Sequence, residues 1–263
     1  MPETQAPLPL KGLRVVEFTH MVMGPTCGLV LADLGAEVIK VEPIDGDRTR
    51  SLLGAGSGFF PMFNRNKKSI AIDLHQPEGA ALARKLCATA DVVAENFKPG
   101  SMAKFGLDYA SLSVDNPKLI YATCKGFLPG PYDHRTALDE VVQMMGGLAY
   151  MTGRPGDPLR AGTSVNDIMG GLFAAMGVLG ALIQRGITGK GMEVQSALYE
   201  NNVFLVGQHT DGPEHAAHDV VDAAAGAQRV AGTAGHVGQA AHHLHHLVER
   251  GAVLVGAGQE ALV

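Results

Sequence analysis

The chain has 263 residues, 46% of them hydrophobic and 18% charged, which suits one large globular domain or two small ones. Its formal net charge of -5 gives no basic field for nucleic acid or an anionic membrane, so we predict neither as a partner. Three cysteines far apart in sequence argue against a disulfide framework, and the N-terminus has no signal-peptide pattern, so we predict a cytoplasmic protein.

Short β-branched runs of strand length alternate with helix-like segments up to about residue 209. Two of the intervening segments, 24–36 and 76–90, carry the Gly and Pro punctuation that is typical of helices. This alternation predicts an α/β fold, a Rossmann-like open parallel sheet with helices on both faces. Ligands of such sheets bind beyond the carboxyl ends of the strands. The predicted strands are 13–18, 37–42, 69–73, 91–96, 119–124 and 192–198.

Several loops that follow these strands carry groups suited to a ligand. FTHMVMGP (18–25) follows the first strand in place of a GxGxxG loop, which disfavours a dinucleotide. Its His20 is either a ligand-facing group or an ordinary polar loop residue. Arg48 and Arg50, with the cations at 65–68, form either a solvated cluster or an anion-binding rim. ENFKPG (95–100) offers an amide and a ring to an adenine or pantetheine group.

A single charge, Asp167, stands just before the apolar stretch 168–183, which is shorter than the roughly 20 residues that span a bilayer. The stretch therefore predicts a buried helix. Two interpretations of Asp167 stay open. It either caps the helix by accepting free N–H groups, or it is an ionised nucleophile held in the positive field of the helix N-terminus. The following pair, Gly170 and Gly171, lets a backbone or a ligand approach closely.

Residues 210–263 have a different vocabulary from residues 1–209. They contain no aromatic residue, Lys, Ile, Met, Asn, Ser or Cys, and Ala, Gly, Val and His dominate. A frameshift near residue 209 in a GC-rich gene explains this composition and predicts a tail that is out of frame or disordered. The alternative is a genuine Ala-rich helical segment. HHLHH (242–246) has no accompanying carboxylate or Cys ligands, so we predict no metal site.

Seven segments, taken in order, carry a family resemblance that covers residues 8–209. Together they resemble the class III CoA-transferases, the CaiB/BaiF family of formyl-CoA and carnitine CoA-transferases, which also includes the 2-methylacyl-CoA racemases. The segments are LKGLRVVEFTHMVMGPTCGLVLADLGAEVIKVEPIDGDRTR (10–50), MFNRNKKSIAIDL (62–74), DVVAENFKPGSMAKFGLDYASL (91–112), NPKLIYATCKGF (116–127), LDEVVQMMGGLAYMTG (138–153), SVNDIMGGLFAAMGVLGAL (164–182) and TGKGMEVQSALYE (188–200).

The resemblance implies transfer of CoA between an acyl-CoA thioester and a small carboxylic acid through covalent aspartyl intermediates. CoA is then a substrate, and no permanently bound cofactor is expected. Asp167 occupies the place of the catalytic aspartate, and N–H groups near Gly170 and Gly171 would be oxyanion donors. His134 and Arg135 suggest a carboxylate or dicarboxylate acceptor. The implied contacts with CoA and the acyl group are His20, Met21, Val22, Met23, Ile72, His75, Asn96, Phe97 and Lys104.

Two other functions are weighed against transfer. The racemases of the family pair their aspartate with a histidine at the position of Leu138, and Leu cannot act as an acid or base. The other alternative is a non-catalytic, truncated Rossmann-like protein. Members of the family are longer and form interlocked homodimers, so the resemblance predicts a homodimer for the full-length form. It also leads us to expect that the expressed chain can be inactive or poorly folded.

Overall fold

The computed structural model describes residues 6–135 and 137–207, which divide into two compact units. The first unit contains residues 6–125 and 170–196 of this part, and the second contains residues 126–169 (without 136) and 197–207. The predicted tail at 210–263, with its histidine cluster, lies outside the described residues.

The first unit is built on a six-stranded sheet in the order β3-β2-β1-β4-β5-β6. Strands β1 to β5 pair in parallel, which confirms the predicted α/β fold. The third strand begins two residues earlier than predicted, because Lys67 and Lys68 pair with Val38 and Ile39 of β2. The strands are β1 (Arg14–Phe18), β2 (Glu37–Glu42), β3 (Lys67–Ala71), β4 (Val92–Glu95), β5 (Ile120–Lys125) and β6 (Glu193–Ala197).

Helices cover both faces of this sheet, as predicted. Phe18 points into a core that contains Cys87 and Leu112 from the helices α3 and α5. Glu17 points to the opposite face, since successive side chains of a strand alternate, and there it meets Gly28 of α1. The helices that lie wholly in this unit are α1 (Met23–Asp33), α2 (Phe59–Phe63), α3 (Pro77–Cys87), α4 (Ser101–Lys104) and α5 (Tyr109–Asp115).

A buried ion pair lies between β1, β3 and α1. Lys67 Nζ is 2.8 Å from Glu17 Oε1, and the two side chains are 2% and 0% exposed. Lys67 also donates to the carbonyl oxygen of Pro25 at 2.8 Å. A Cβ at Gly28 would overlap the second oxygen of Glu17. The glycine therefore makes the room that this pair needs under the helix.

The Gly28→Ala variant should lose about 1–3 kcal/mol of unfolding free energy, because an added methyl group overlaps the buried carboxylate of Glu17, which Lys67 holds in place. Gly180→Ala is the matched control. Gly180 also lies inside a helix, but its Cβ would meet nothing within 4 Å. That control should gain roughly 0.5–1 kcal/mol from helix propensity. Urea unfolding of both variants measures the difference, and equal stabilities would contradict the close packing at Gly28.

The second unit contains short helices and the beginning of a long one. These are α6 (Asp139–Met145), α7 (Leu148–Thr152), α9 (Leu198–Val206) and the first residues of α8 (Val165–Thr188). Helix α8 is longer than the predicted 168–183 stretch and is long and apolar enough to cross a membrane by length and composition. Ala174, Ala175 and Val178 are nevertheless buried in the protein. The prediction of a buried helix is only half right, since its other side exposes Leu172, Met176, Ile183 and Ile187.

Candidate functional site

The residues that follow β1 and β4 meet at the carboxyl edge of the sheet. The strand order reverses between these two strands, which is where open α/β sheets bind ligands. The N–H of His20 donates to Asn96 Oδ1 at 3.0 Å, and Asn96 Nδ2 donates back to the His20 carbonyl at 2.8 Å. The rings of His20 and Phe97 lie 5.8 Å apart. Three of the predicted CoA contacts are thus brought together.

Side chains from β2 and the following loop fix the same turn. Met21 is 41% exposed and has a positive φ of 61°, a strained value for a side chain of this kind. Its N–H donates to Thr49 Oγ1 at 3.0 Å, and that hydroxyl donates to Asp47. Buried Lys40 pairs with Asp47 at 2.9 Å and donates to the Thr19 carbonyl. The turn at 19–21 is therefore preorganised by the protein.

The ring of His20 reaches solvent, yet the surrounding protein is dense enough to lower its pKa. Partial burial is the main cause, the charge of Lys40 adds to it, and Asp47 opposes it. His20 is therefore neutral at pH 7, available as a hydrogen-bonding group and not as a cation.

The other predicted CoA contacts occupy two kinds of place. The side chains of Val22, Met23 and Ile72 are buried, so a ligand beside them would meet their backbone. His75 and Lys104 are exposed. The His75 ring packs edge-on against Phe105, the neighbour of Lys104, with centroids 5.4 Å apart, and so joins the turn after β3 to the end of α4.

In the predicted anion-binding rim, one cation has no ion-pair partner among the described residues. Arg50 holds both carboxylate oxygens of Glu42 and stacks over Phe60 at 3.8 Å. Arg48 is exposed, and its guanidinium makes no ion pair with any described residue. The basic residues at 65–68 are likewise paired with carboxylates, those of Asp33, Glu17 and Glu37.

In the second unit, the start of α8 is capped by a residue from α6. Asp139 is 3% exposed, and its Oδ2 accepts the N–H groups of Asn166 at 2.8 Å and Asp167 at 3.0 Å. The carboxylate of Asp167 accepts no hydrogen bond from any residue that the structure describes. The interpretation of Asp167 as the helix cap is therefore wrong, because Asp139 has that role.

Burial raises the pKa of Asp167 to about 7. The negative charges of Asp139 and Glu140 act in the same direction, and Arg160 opposes them. The expectation that Asp167 stays fully ionised is corrected accordingly, since the helix N–H groups that would stabilise its charge are already bound to Asp139. At neutral pH the carboxyl is close to half ionised, which is the poise of a group that reacts as an anion.

Gly171, in the glycine pair after Asp167, serves packing. Gly170 and Gly171 lie inside α8, where N–H groups bond to carbonyls four residues earlier, so their own N–H groups are not available as oxyanion donors. A Cβ on Gly171 would overlap the Met23 carbonyl and lie 2.5 Å from Thr26 Cβ. The predicted close approach is thus a contact between α8 and α1.

The Asp167→Asn variant should be more stable than the wild type by about 1–3 kcal/mol at pH 8. The folded-state pKa of Asp167, about 7, lies above its ordinary value of 3.8. Its stabilising contribution is therefore complete below pH 3.8 and lost as the pH rises through 7. Thermal unfolding between pH 4 and pH 8 should show the two proteins diverging. Parallel curves would contradict the raised pKa.

Two functional candidates, Asp139 and Gln143, escaped the sequence reasoning as contributors to the site. Both are buried on the short helix α6. The available signal was a pair of polar residues four apart, and therefore on one face, within the apolar segment LDEVVQMM (138–145). For metals, residues 6–135 and 137–207 contain no group of three or more His, Cys, Asp or Glu placed to hold an ion.

Comparisons with known proteins found a matching family model and similar sequences. The model of CoA-transferase family III matches residues 10–262, past the point at which the composition changes. Succinate–glutarate CoA-transferase of Agrobacterium fabrum is 44% identical over 205 residues, 73% of this chain and 51% of that protein. Formyl-CoA:oxalate CoA-transferase of Rhodopseudomonas palustris is 42% identical over 202 residues, 74% of this chain and 48% of the relative. The chain spans about half the length of these curated relatives.

A solved structure is similar to most of the chain. A CaiB/BaiF family protein from Brucella suis superimposes with a TM-score of 0.73 at 41% identity, covering 78% of this chain and 57% of that one.

Proposed function

Because the chain belongs to CoA-transferase family III, we propose that it transfers CoA from an acyl-CoA thioester to a small carboxylic acid, with Asp167 as the nucleophile. The observation that carries the proposal is the carboxylate of Asp167, which accepts no hydrogen bond within the described residues although its backbone is held by Asp139. A carboxylate in that state is free to attack, since no protein donor has to be removed first.

The proposed reaction proceeds in balanced covalent steps. One oxygen of Asp167 attacks the thioester carbonyl, the C–S bond breaks, and a mixed anhydride and CoA thiolate result. The thiolate attacks the aspartyl carbonyl, which releases the donor carboxylate and forms an aspartyl-CoA thioester. The acceptor carboxylate displaces the thiolate to form a second anhydride. The thiolate then attacks the acceptor carbonyl, giving the new acyl-CoA and restoring Asp167.

The turn at 19–21 and the segment after β4 are the proposed site for CoA. Neutral His20 and the neighbouring ring of Phe97 offer a polar edge and an aromatic face. Asn96 holds the turn. Four exposed side chains are available to contact the CoA part of the substrate, those of Met21, Arg48, His75 and Lys104. CoA enters as a substrate and no permanently bound cofactor is proposed.

The acceptor is proposed to be a small carboxylate or dicarboxylate. The names of the relatives carry succinate, glutarate and oxalate. Arg135 lies over the ring of Tyr132 at 5.0 Å, and His134 beside it is exposed, so both are available to a second carboxylate. Racemisation is not favoured, because Leu138, 61% exposed at the head of α6, offers no acid or base.

Three further expectations accompany this function. The cytoplasm is the proposed compartment, and an interlocked homodimer is the proposed state of a full-length member of the family. The frameshift near residue 209 also remains a proposal about the gene. DNA sequencing of the parent gene tests it, and an uninterrupted frame that is matched in related genes would contradict it.

A thioester-exchange assay tests the proposed activity. The purified chain is incubated with succinyl-CoA and a panel of small mono- and dicarboxylates, and new acyl-CoA species are separated by chromatography. We expect at least one dicarboxylate to receive CoA without net hydrolysis. If the folded chain leaves succinyl-CoA unchanged with every acceptor, the alternative of a non-catalytic protein replaces the proposal.

A further inference from the structure

Two buried side chains of α6 hold the backbone on both sides of the start of α8. Asp139 accepts the N–H groups of Asn166 and Asp167 through one oxygen, and its other oxygen accepts a hydrogen bond from Gln143 Nε2. Gln143, which is fully buried, accepts the Ala161 N–H at 2.7 Å through its amide oxygen. We call Asp139 and Gln143 the α6 clamp.

The α6 clamp uses the N–H groups that a helix N-terminus would otherwise offer to a nearby carboxylate. The first N–H groups of a helix have no intrahelical partner, and a carboxylate in the first turn is their natural acceptor. Asp167 is the third residue of α8, so its own side chain is such a candidate. Because Asp139 takes these donors, the carboxylate of Asp167 accepts nothing from the described residues.

Gln143 gives this arrangement a defined orientation. Its amide oxygen receives the Ala161 N–H, which leaves its amide nitrogen facing Asp139 Oδ1 and the Thr163 carbonyl. The segment 161–167 is therefore fixed from its beginning to the first turn of α8. Because these polar groups are buried, leaving one of them unpaired would cost more free energy than it would in water. Burial therefore stabilises the hydrogen-bonded arrangement.

We propose that the α6 clamp is a positioning device for the nucleophile: it fixes the backbone at Asp167 and takes the helix N–H donors, so that the carboxylate projects without a protein partner. The proposal rests on the function proposed above. Asp139 also places a fixed negative charge beside Asp167. The other charged groups that act on Asp167 in the described part are Glu140 on α6 and Arg160 in the loop before α8.

Two variants of one residue and a neighbouring control separate the roles. Asp139→Asn removes the charge and keeps an acceptor oxygen for the two N–H groups. Asp139→Ala removes both. Glu140→Gln is the matched control: among the described residues, Glu140 forms an ion pair with Arg160 alone, at 2.6 Å, and accepts no N–H group of α8. It removes a charge near Asp167 and leaves the α6 clamp whole.

Carbon-13 titration of the Asp167 carboxyl in the full chain is the first readout, and it needs no turnover. The signal is assigned by its loss in Asp167→Asn. We expect an apparent pKa of about 7 in the wild type, a fall of about one unit or more in Asp139→Asn, and a smaller fall in Glu140→Gln. An unchanged pKa in folded Asp139→Asn would overturn the proposal.

Amide hydrogen exchange is the second readout. The amides of Asn166 and Asp167 should exchange about tenfold faster in Asp139→Ala, because loss of a cap exposes them, and should stay protected in Glu140→Gln. Should Asp139→Ala fail to fold, the Asp139→Asn titration decides. In the thioester-exchange assay, Asp139→Ala should lower kcat about 100-fold with little change in KM for succinyl-CoA.

The outcomes separate the two proposals. One pair of results would support the α6 clamp and contradict the proposed function. In that pair, the Asp139 variants change the titration of Asp167 and the amide exchange, and the wild type transfers no CoA. The opposite pair of results would support the function and contradict the clamp. In that pair, the wild type transfers CoA, and the Asp139 variants match it in the pKa of Asp167, in amide exchange and in kcat.

Discussion

The Asp167→Asn variant should lose CoA transfer by about 10⁴-fold or more, because removing a covalent nucleophile removes the route through the anhydride and the aspartyl thioester. Asn matches Asp in shape and leaves the N–H groups at the start of α8 with Asp139. The loss should therefore appear in kcat, with the binding of succinyl-CoA retained. Initial rates of exchange at several donor concentrations measure both.

A second carboxylate of the same unit provides the control. Asp157 is exposed on the loop before α8, and its two hydrogen bonds with Arg154 join backbone N–H and carbonyl groups. The Asp157→Asn variant should transfer CoA at the wild-type rate. If Asp167→Asn retains the wild-type rate as well, the nucleophile lies elsewhere and the reaction scheme fails.

Breaking the buried ion pair of the first unit should have the largest effect on stability. The Lys67→Met variant leaves the carboxyl group of Glu17 buried and without its cation, since the pair is 2.8 Å apart and almost inaccessible to solvent. Removing one partner of such a pair costs about 3–5 kcal/mol. Urea unfolding at pH 7 measures the loss, which would leave many domains of this size only marginally folded.

Two controls test the cause of that loss. Lys68→Met removes the next lysine of β3, which is 71% exposed and pairs with Glu37 at the surface, and should change stability by less than about 1 kcal/mol. The double variant Glu17→Met with Lys67→Met removes both charges and should recover most of the stability. A double variant as unstable as Lys67→Met would show that packing, and not the stranded charge, explains the effect.

The fold could be predicted from the sequence because its signals are local. Each of the six strands is a short β-branched run, and each run falls within two residues of the observed strand. The start of β3 was missed because Lys67 has no β-strand signature of its own. It joins the sheet through backbone pairing with Val38 of β2, and its side chain bonds to Glu17, which lies 50 residues away in sequence. No local pattern contains that contact.

The sequence singled out Asp167 for the candidate site but not the residues that surround it. Asp167 stood out as a lone charge before an apolar helix, a position compatible with a cap and with a reactive group. Asp139, 28 residues earlier, rules out the cap by taking the N–H groups. Burial is the main reason why the pKa of Asp167 rises when the helix field alone predicts a fall, and the same bonds occupy N–H groups that would otherwise oppose the rise. The length of α8 was underestimated because polar residues interrupt the apolar pattern at its two ends, 165–167 and 184–188.

The most direct test of the account is the mass of Asp167 after contact with substrate. The chain is mixed with succinyl-CoA without an acceptor, quenched in acid and digested, and the masses of the peptides are measured by mass spectrometry. The account predicts that the peptide containing Asp167 gains the mass of one CoA less one water, and that Asp167→Asn shows no such gain. A wild-type chain that turns over succinyl-CoA with an acceptor yet carries no adduct on this peptide, or carries it on another residue, would contradict the account.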